Sequence, residues 1–429
     1  MGFNKLCILG LGYIGLPTAS TFATHGIQVI GVDTNSKIIE GLRNEEIHIH
    51  EPGLRTLVQA AIHSGNLLVR STPEQADAFI IAVPTPFYPD NKKADMRHVI
   101  AATESIVPHL RPGNLVILES TSPPRTTIDL IAPILERSGL KAGTDFYLAY
   151  SPERVLPGRI LQELIENARV IGGIDRLSAE KGRDLYRIFV RGDIILSEAT
   201  TAEMVKLMEN TTRDINIAIA NEFSRLAERV GIDVWEAIEI ANLHPRINIL
   251  KPGPGVGGHC ISVDPWFLVE AAPDLASLIS TARHVNDGQP HFVVELVRRA
   301  LDGELKGKRI AALGLAFKPD VDDFRESPAV EVVKLLVEAG VKVKGYDPYL
   351  NGLQIPGVPL YKDLAPAVKD ADLLLVLVAH NELRNLEIGR LQEMTPARKI
   401  LDTVNISGNK NFEQSGFVLY KLGVNRRTQ

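Results

Sequence analysis

Short apolar runs alternate with longer amphipathic stretches over the first third of the chain. This alternation is the pattern of a parallel sheet covered by helices. It predicts strands at Leu6–Leu9, Gln28–Val32, Ala78–Val83, Leu115–Glu119 and Phe146–Tyr150. Helical periodicity lies between them, for example over Ile14–His25 and Met96–Val107. We therefore expect a doubly wound α/β domain over residues 1–198.

The pattern changes near residue 200. A long helical pattern without proline covers Thr201–Arg229, and a further helix is predicted at Val234–Ala241, before a glycine-rich loop. From Arg309 the alternation of the first third returns, in the same order. We expect two Rossmann-like domains, the second over residues 303–429, joined by a helical domain over residues 199–302. Any two doubly wound domains share this pattern, so the repeat supports the fold and says little about ancestry.

Composition narrows the class of protein. The 429 residues are 45% hydrophobic and 23% charged, which is typical of a soluble globular protein, and the net charge of −5 offers no basic surface for nucleic acid. Two cysteines argue against a disulfide framework and for a reducing compartment. No signal-peptide pattern and no apolar run of membrane-spanning length is present. We expect a cytoplasmic protein that binds neither nucleic acid nor membrane.

A glycine-rich turn follows the first predicted strand. Gly10-Leu11-Gly12-Tyr13-Ile14-Gly15 leads directly into a helix, where glycines permit a tight turn, close approach of a pyrophosphate and close helix packing. The next strand ends at Asp33, whose carboxylate can accept a hydrogen bond from a ribose 2′-hydroxyl. No arginine follows it, so the sequence predicts NAD rather than NADP.

Hydroxyl side chains end two later strands of the same sheet. Ligands of open α/β sheets bind beyond the carboxyl ends of the strands, so Thr85 and Thr121 are candidates for the border of the cofactor site. The alternative is ordinary turn chemistry, because Pro, Ser and Thr are common in such turns.

A single cysteine ends the glycine-rich loop of the helical domain. In Pro254-Gly255-Val256-Gly257-Gly258-His259-Cys260 the glycines let a ligand approach the main chain, and a thiol presented in this way is a candidate nucleophile. Cys7, within an apolar strand, is instead expected to be a core residue. Asp264 and Glu153 are candidates to direct a water molecule.

Polar residues share one face of the long helix. Lys206, Asn210 and Arg213 are spaced at i, i+4 and i+7, and a lysine and an amide on adjacent turns can hold a developing oxyanion. A solvated helix face is the alternative interpretation, and spacing alone favours it. The thiol elsewhere in the chain, which needs such donors, favours a site.

The combination of a dinucleotide turn and a thiol indicates a four-electron oxidation. One hydride transfer converts an alcohol to an aldehyde, which gives up a second hydride only after a nucleophile has added. A thiohemiacetal at Cys260 would be oxidised to a thioester, and water would hydrolyse it to the acid.

The chain resembles the UDP-glucose/GDP-mannose dehydrogenase family over essentially its whole length. The resemblance rests on motifs that occur in the same order: Gly10–Gly15, Ser151–Gly158, Thr201–Asn210, Gly257–Pro265, Phe317–Pro319 and Asp323–Pro328. Within the family, the stretches from His244 to Gly255 and from Val263 to Phe267 are most similar to those of UDP-N-acetyl-D-mannosamine dehydrogenases. The resemblance implies two NAD-dependent oxidations at C6 of a UDP-sugar, for cell-surface polysaccharide synthesis.

Position by position, the resemblance implies roles for individual residues. The nucleophile is Cys260 and the proton donor or acceptor is Lys206, while Asn210 holds the oxyanion; Asp264, Glu153 and Thr121 surround the water. The matches to substrate contacts are Arg154, Val155, Lys206, Asn210, Arg213, His244, Arg246, Gly257, Phe317 and Lys318, and the matches to cofactor contacts are Gly10, Gly12, Tyr13, Ile14, Gly15, Asp33, Thr85, Thr121 and Arg325. The family implies a homodimer through the central helices, with Arg246 acting across the interface. One departure is Val404, where relatives often carry a basic residue.

Other interpretations stay open at this stage. UDP-N-acetylglucosamine and UDP-glucose are alternative substrates, a two-electron hydroxy-acid dehydrogenase would share the first domain, and a sugar-nucleotide sensor would bind both ligands without turnover. His48, His50 and Glu51 resemble a metal cluster, but the turn at Glu51-Pro52-Gly53 accounts for them, so no metal is expected. His259 is expected to be structural rather than a partner of the neighbouring thiol.

Overall fold

The computed structural model describes residues 2–49, 51–258, 260–408 and 412–425. The chain forms two compact units, one of Met1–Glu209 with Trp266–Pro273 and the other of Asn210–Pro265 with Asp274–Gln429. Within the described residues, no helix is both long enough and apolar enough to cross a membrane.

The first unit is built on an eight-stranded sheet. Its strands are β1 (Lys5–Leu9), β2 (Gln28–Val32), β3 (Leu67–Arg70), β4 (Ala78–Ile81), β5 (Leu115–Leu118), β6 (Tyr147–Tyr150), β7 (Arg169–Gly173) and β8 (Ile194–Glu198). The strand order is β3-β2-β1-β4-β5-β6-β7-β8, and all neighbours are parallel except β6 and β7. The helices of this unit are α1 (Gly15–Thr24), α2 (Ser36–Arg43), α3 (Leu54–His63), α4 (Arg97–Ile106), α5 (Ala132–Leu135), α6 (Ile160–Glu166) and α7 (Arg176–Tyr186).

Both faces of this sheet are buried. Leu6 and Ile8 of β1 pack on one face, and Cys7 and Leu9 pack on the other, as the two-residue period of a strand requires. Burial raises the pKa of the Cys7 thiol to about 12, so this cysteine is an inert core residue as its sequence context predicts.

The helical region consists of α8 (Ala199–Val230), α9 (Val234–Ala241), α10 (Asp264–Ala271), α11 (Ser277–Asp287) and α12 (Gln289–Ala300). Helix α8 is 32 residues long and extends the predicted helix by two residues at its start and one at its end.

The second unit carries a six-stranded parallel sheet. Its strands are β9 (Arg309–Leu313), β10 (Lys342–Tyr346), β11 (Leu360–Tyr361), β12 (Leu373–Val376), β13 (Lys399–Asp402) and β14 (Val418–Lys421), in the order β11-β10-β9-β12-β13-β14. Its remaining helices are α13 (Pro328–Glu338), α14 (Leu364–Val368), α15 (Asn381–Arg384) and α16 (Ile388–Met394). Both sheets therefore place the first strand between the second and the fourth, and the predicted fold class is confirmed.

Candidate active site

The turn that joins β1 to α1 has the backbone geometry that close approach of a phosphate requires. Gly10 has a φ of 92°, and a Cβ there would lie 2.5 Å from the carbonyl oxygen of Ala82. A Cβ on Gly15 would lie 1.8 Å from the carbonyl oxygen of Gly10, so both positions need glycine. Nothing lies within 4 Å of the Cβ position of Gly12, so this side of the turn is open. The turn and the helix start behind it fit a pyrophosphate.

Asp33 stands beside this turn with acceptor capacity to spare. Its Oδ2 accepts from Leu11 N at 3.0 Å and its Oδ1 from Asn35 N at 2.8 Å, and the residue is half-buried. A carboxylate oxygen has two lone pairs, so each oxygen of Asp33 can accept one more hydrogen bond, for example from a ribose hydroxyl. Tyr13 and Ile14 lie half-buried in the turn itself. These residues fit the adenosine side of NAD.

Thr85 and Thr121 follow two neighbouring parallel strands, β4 and β5, and both are half-buried. Ser120 Oγ donates to Val83 O at 2.7 Å and so connects the two strand ends. The structure brings the hydroxyls to the carboxyl edge of the sheet, as the sequence predicts.

Glu153 is held by a buried arginine. Arg169 Nη2 donates to Glu153 Oε2, and the backbone N of Arg154 donates to Glu153 Oε1 at 2.7 Å. Arg169 Nη1 also donates to Glu119 Oε1 at 3.2 Å and to Ser151 Oγ at 3.1 Å. Glu153 is therefore fixed in orientation by residues from the ends of three strands.

Glu119 is the second carboxylate of this cluster, and no pattern in the sequence marks it as part of a site. Its side chain is fully buried, its Oε1 accepts from Tyr186 OH at 2.9 Å, and the Arg169 guanidinium lies 4.1 Å from the centre of the Tyr186 ring. Burial raises the pKa of Glu119 to about 7, and the nearby Glu153 carboxylate adds to the rise, against the attraction of Arg169. Burial therefore favours the protonated form of Glu119 over the form that an exposed carboxyl group takes.

The first turns of α8 are anchored by Glu203. Its buried carboxylate accepts from Thr127 N at 2.8 Å and Thr127 Oγ1 at 2.6 Å, and burial raises its pKa. Lys206 lies three residues further along the helix and is almost fully buried. The anchored first turns of α8 therefore hold this lysine in a fixed, buried position.

Arg154 and Val155 follow Glu153 on the loop after β6. Arg154 Nε donates to Glu209 at 3.0 Å and Nη1 donates to Ala168 O at 2.9 Å, while Val155 packs on the core of the first sheet. The Arg154 side chain is thus fixed by protein partners.

In the second unit, the loop before α10 presents Cys260 half-buried. The Cys260 carbonyl accepts from Val263 N at 3.0 Å and Asp264 N at 2.8 Å, so the cysteine directly precedes the first helical turn. Asn210 Nδ2 donates to Asp264 Oδ2, and Asp264 itself is buried. The structure therefore brings together two of the predicted catalytic residues, 54 positions apart.

The glycines of this loop are required by the segment they pack against. A Cβ on Gly257 would lie 2.5 Å from Glu326 O and 3.0 Å from Phe317 Cβ, and one on Gly258 would lie 2.8 Å from the Phe317 ring. The Gly258 N–H donates to Arg325 O at 3.2 Å. The cysteine loop thus lies against the segment of Phe317, Lys318 and Arg325. The Arg325 guanidinium is paired with Asp323, at 2.6 Å.

Three of the predicted substrate contacts are exposed in the second unit, namely Arg213, His244 and Arg246. His244 Nε2 and Arg246 Nη2 are 3.5 Å apart, next to the exposed Leu243 and Ile247. Val404, by contrast, packs against the core of the second sheet.

Three asparagines outside every predicted motif hold the segment between Arg246 and Cys260. Their amide nitrogens donate to the backbone oxygens of Asn248 and Ile249, and their amide oxygens accept from the backbone nitrogens of Ile249, Leu250 and Gly253, all at 2.8–2.9 Å. They are Asn216 and Asn221 of α8 and Asn242 after α9. Isolated asparagines carry no sequence signal for such a role.

Glu51, one of the three residues that resemble a metal cluster, binds backbone N–H groups at the start of a helix. Glu51 is buried and accepts from Gly158 N and Ile160 N, both at 2.8 Å, at the start of α6. His50 and His259 lie outside the described residues.

Comparison with known proteins places these features in one family. Residues 4–190, 200–288 and 311–409 match the NAD-binding, central and UDP-binding domains of the UDP-glucose/GDP-mannose dehydrogenase family. A UDP-N-acetyl-D-mannosamine dehydrogenase of Methanocaldococcus jannaschii is 50% identical, with 98% of this chain and 96% of that protein aligned. An NDP-N-acetyl-D-galactosaminuronic acid dehydrogenase of Ralstonia solanacearum is 46% identical over 94% of this chain and 96% of its own length. The structure of a UDP-D-ManNAc dehydrogenase of Pyrococcus horikoshii has a TM-score of 0.91 and 40% identity, covering 99% of this chain and 100% of that one. The chain therefore belongs to the UDP-glucose/GDP-mannose dehydrogenase family and is an NAD-dependent UDP-sugar dehydrogenase.

Proposed function

We propose that this member of the UDP-glucose/GDP-mannose dehydrogenase family oxidises C6 of UDP-N-acetyl-D-mannosamine to the uronate, through a thioester on Cys260. The observation that carries the proposal is the glycine-framed cysteine, which directly precedes a helix whose first residue, Asp264, is bonded to Asn210. The identity of 50% to a UDP-N-acetyl-D-mannosamine dehydrogenase supports this sugar.

The first oxidation removes a proton and a hydride from the C6 alcohol. Lys206 accepts the proton directly or through water. NAD, which the Gly10–Gly15 turn and Asp33 would hold, would supply the acceptor for the hydride. The Cys260 thiolate then adds to the aldehyde carbon, and Asn210 with protonated Lys206 stabilises the oxyanion of the thiohemiacetal.

In the second oxidation the oxyanion electrons of the thiohemiacetal form the C=O of a thioester and C6 gives up its second hydride, for which a second NAD would be the acceptor. Water adds to the thioester carbon, directed by Asp264, Glu153 and Thr121, and the C–S bond breaks to release the carboxylate and the thiol. One alcohol, two NAD⁺ and one water thus give one carboxylate, two NADH and three protons.

The experiment that tests this mechanism measures NADH formed per sugar consumed. UDP-N-acetylmannosamine, UDP-N-acetylglucosamine, UDP-N-acetylgalactosamine, UDP-glucose and GDP-mannose are offered in parallel. Two NADH per sugar are expected with UDP-N-acetylmannosamine; one NADH would leave Cys260 without a role, and none would indicate a sensor. Cys260→Ala and Cys260→Ser are expected to abolish acid formation while still binding UDP, and full turnover by the alanine variant would refute the thioester.

We also propose that the protein is a homodimer through α8. Exposed apolar residues recur at helical spacing on this helix, at Ile219, Phe223, Leu226 and Val230, with exposures of 41–64%. The opposite face buries Asn221, Ser224 and Glu228. A helix that exposes its apolar face and buries polar residues is suited to covering that face with a partner.

Leu243, which directly precedes His244 in the chain, is a further exposed apolar residue near Arg246 in sequence. This supports a role for Arg246 in the site of the partner subunit. A cytoplasmic location, where NAD and UDP-sugars are made, and a role in supplying uronates for cell-surface polysaccharides complete the proposal.

A further inference from the structure

Each sheet has an aspartate at the equivalent position, and the two differ in accessibility. Asp33 follows β2 and accepts from the backbone of the turn after β1, at Leu11 N. Asp347 follows β10 and accepts from the turn after β9, at Leu315 N. Asp33 is half-buried, whereas the Asp347 side chain is fully buried.

Four hydrogen-bond donors of the protein itself hold the buried Asp347 carboxylate. Its Oδ2 accepts from Leu315 N at 2.7 Å, Ala316 N at 3.0 Å and His380 Nε2 at 3.0 Å, and its Oδ1 accepts from Tyr349 N at 2.9 Å. Burial by itself raises the pKa of Asp347, but the bonds from His380 and the backbone outweigh burial and lower it. Asp347 is thus an internal anion with no access for a ribose hydroxyl.

His380 connects this aspartate to a second point on the same loop. Its side chain is fully buried, and its Nδ1 accepts from the backbone N of Asp320 at 2.9 Å, so the proton is on Nε2 and is donated to Asp347. Asp320 has a φ of 60°, which is unfavourable for a residue with a Cβ. Its Oδ1 accepts from Asn381 N at 2.9 Å, which helps to hold it there.

The two bonding points enclose the residues that match substrate contacts. Residues 315 and 316 are bound to Asp347 and residue 320 is bound to His380, while Phe317 and Lys318 lie between them. The geometry points to the Asp347–His380 pair as a positioning device that fixes residues 315–320 for binding the uridine nucleotide. Because Asp347 is occupied in this pair, the second sheet has no carboxylate at this position that could accept a hydrogen bond from the ribose of NAD. This inference rests on the proposed contacts of Phe317 and Lys318 with the substrate.

Two substitutions of His380 separate its two hydrogen bonds. A glutamine amide reaches the position of Nε2, so His380→Gln retains a donor to Asp347. An asparagine reaches only the position of Nδ1, so His380→Asn retains the acceptor for Asp320 and leaves the buried anion short of a donor. Binding of UDP and of NAD is measured calorimetrically without turnover, together with thermal melting. Asp33→Asn is the matched control in the first sheet.

We expect His380→Asn to weaken UDP binding about tenfold, His380→Gln to weaken it less, and both to leave NAD binding within twofold of the parent. Asp33→Asn is expected to weaken NAD binding only, and the parent protein is expected to bind one NAD per chain, because Asp347 cannot replace Asp33. Asp320→Ala removes the carboxylate that accepts from Asn381, leaves the pair intact, and serves if a His380 variant does not fold; it too should weaken UDP binding selectively.

Unchanged UDP affinity in folded variants would overturn the inference, as would an equal loss of UDP and NAD binding or a second NAD site per chain. Failure of the parent protein to bind UDP would instead refute the proposed substrate class. Because no turnover is needed, the outcome is independent of the thioester mechanism.

Discussion

Replacing Glu119 by glutamine should change how stability depends on pH. Burial raises the pKa of Glu119 from 4.5 to about 7, so between these values the folded state keeps a proton that the unfolded state has lost. Because the folded state binds more protons, the free energy of unfolding falls by about 1.4 kcal/mol per pH unit in this range and is level above it. From pH 5 to pH 8 the loss amounts to about 2–3 kcal/mol. Glu119→Gln keeps the shape and the acceptor for Tyr186 but removes the ionisation.

The assay compares melting temperatures of the parent and Glu119→Gln from pH 5 to pH 8.5. A loss of about 2–3 kcal/mol lowers the melting temperature of a domain of this size by roughly 5–10 °C. The melting temperature of the variant should therefore rise relative to that of the parent by this amount as the pH increases to 7. Glu104→Gln, which removes an exposed carboxylate paired with Arg137, is the control and should show no such trend. A difference between parent and Glu119→Gln that stays constant across the range would refute the reasoning.

Three further predictions concern the second unit. Asp264→Asn should lower kcat about 10²–10³-fold and leave UDP binding unchanged, because hydrolysis of the thioester would be slow without the carboxylate that directs the water. Mass spectrometry of the intact protein should then detect an acyl-enzyme, and its absence would contradict this role of Asp264. Gly257→Ala should weaken UDP binding, since its Cβ would force the loop away from Phe317, whereas parent-like affinity would show that the packing does not matter for binding. Leu226→Glu should make the protein monomeric, whereas the parent protein should be a dimer, as judged from the molar mass measured by light scattering. A monomeric parent protein would contradict the proposed interface.

The five strands predicted in the first third agree with β1, β2, β4, β5 and β6 within two residues at each end, because burial on both faces leaves continuous apolar segments. The strand order and the strands β3, β7 and β8 were not predicted. The sequence also predicted tight turns at Gly10 and Gly15, and the structure leaves no room for a Cβ at either position. The polar clusters did not follow. Arg169 begins a buried strand, and its carboxylate partners are 16 and 50 residues away, so no local pattern distinguishes it from an exposed arginine at a strand end.

Helix α8 shows why periodicity alone misjudges such positions. Its second half buries Asn221, Ser224 and Glu228, and exposes the apolar stripe that includes Phe223, which inverts the usual arrangement of a surface helix. The buried polar residues have partners that the sequence does not indicate: Asn221 accepts from Gly253 N, on the segment leading to Cys260, and Glu228 accepts from Gly423 N at 3.1 Å. The inversion has two parts. The inward face of the helix holds loops by their backbone, which takes polar side chains, and the outward face exposes the apolar area that the proposed association of two chains would bury.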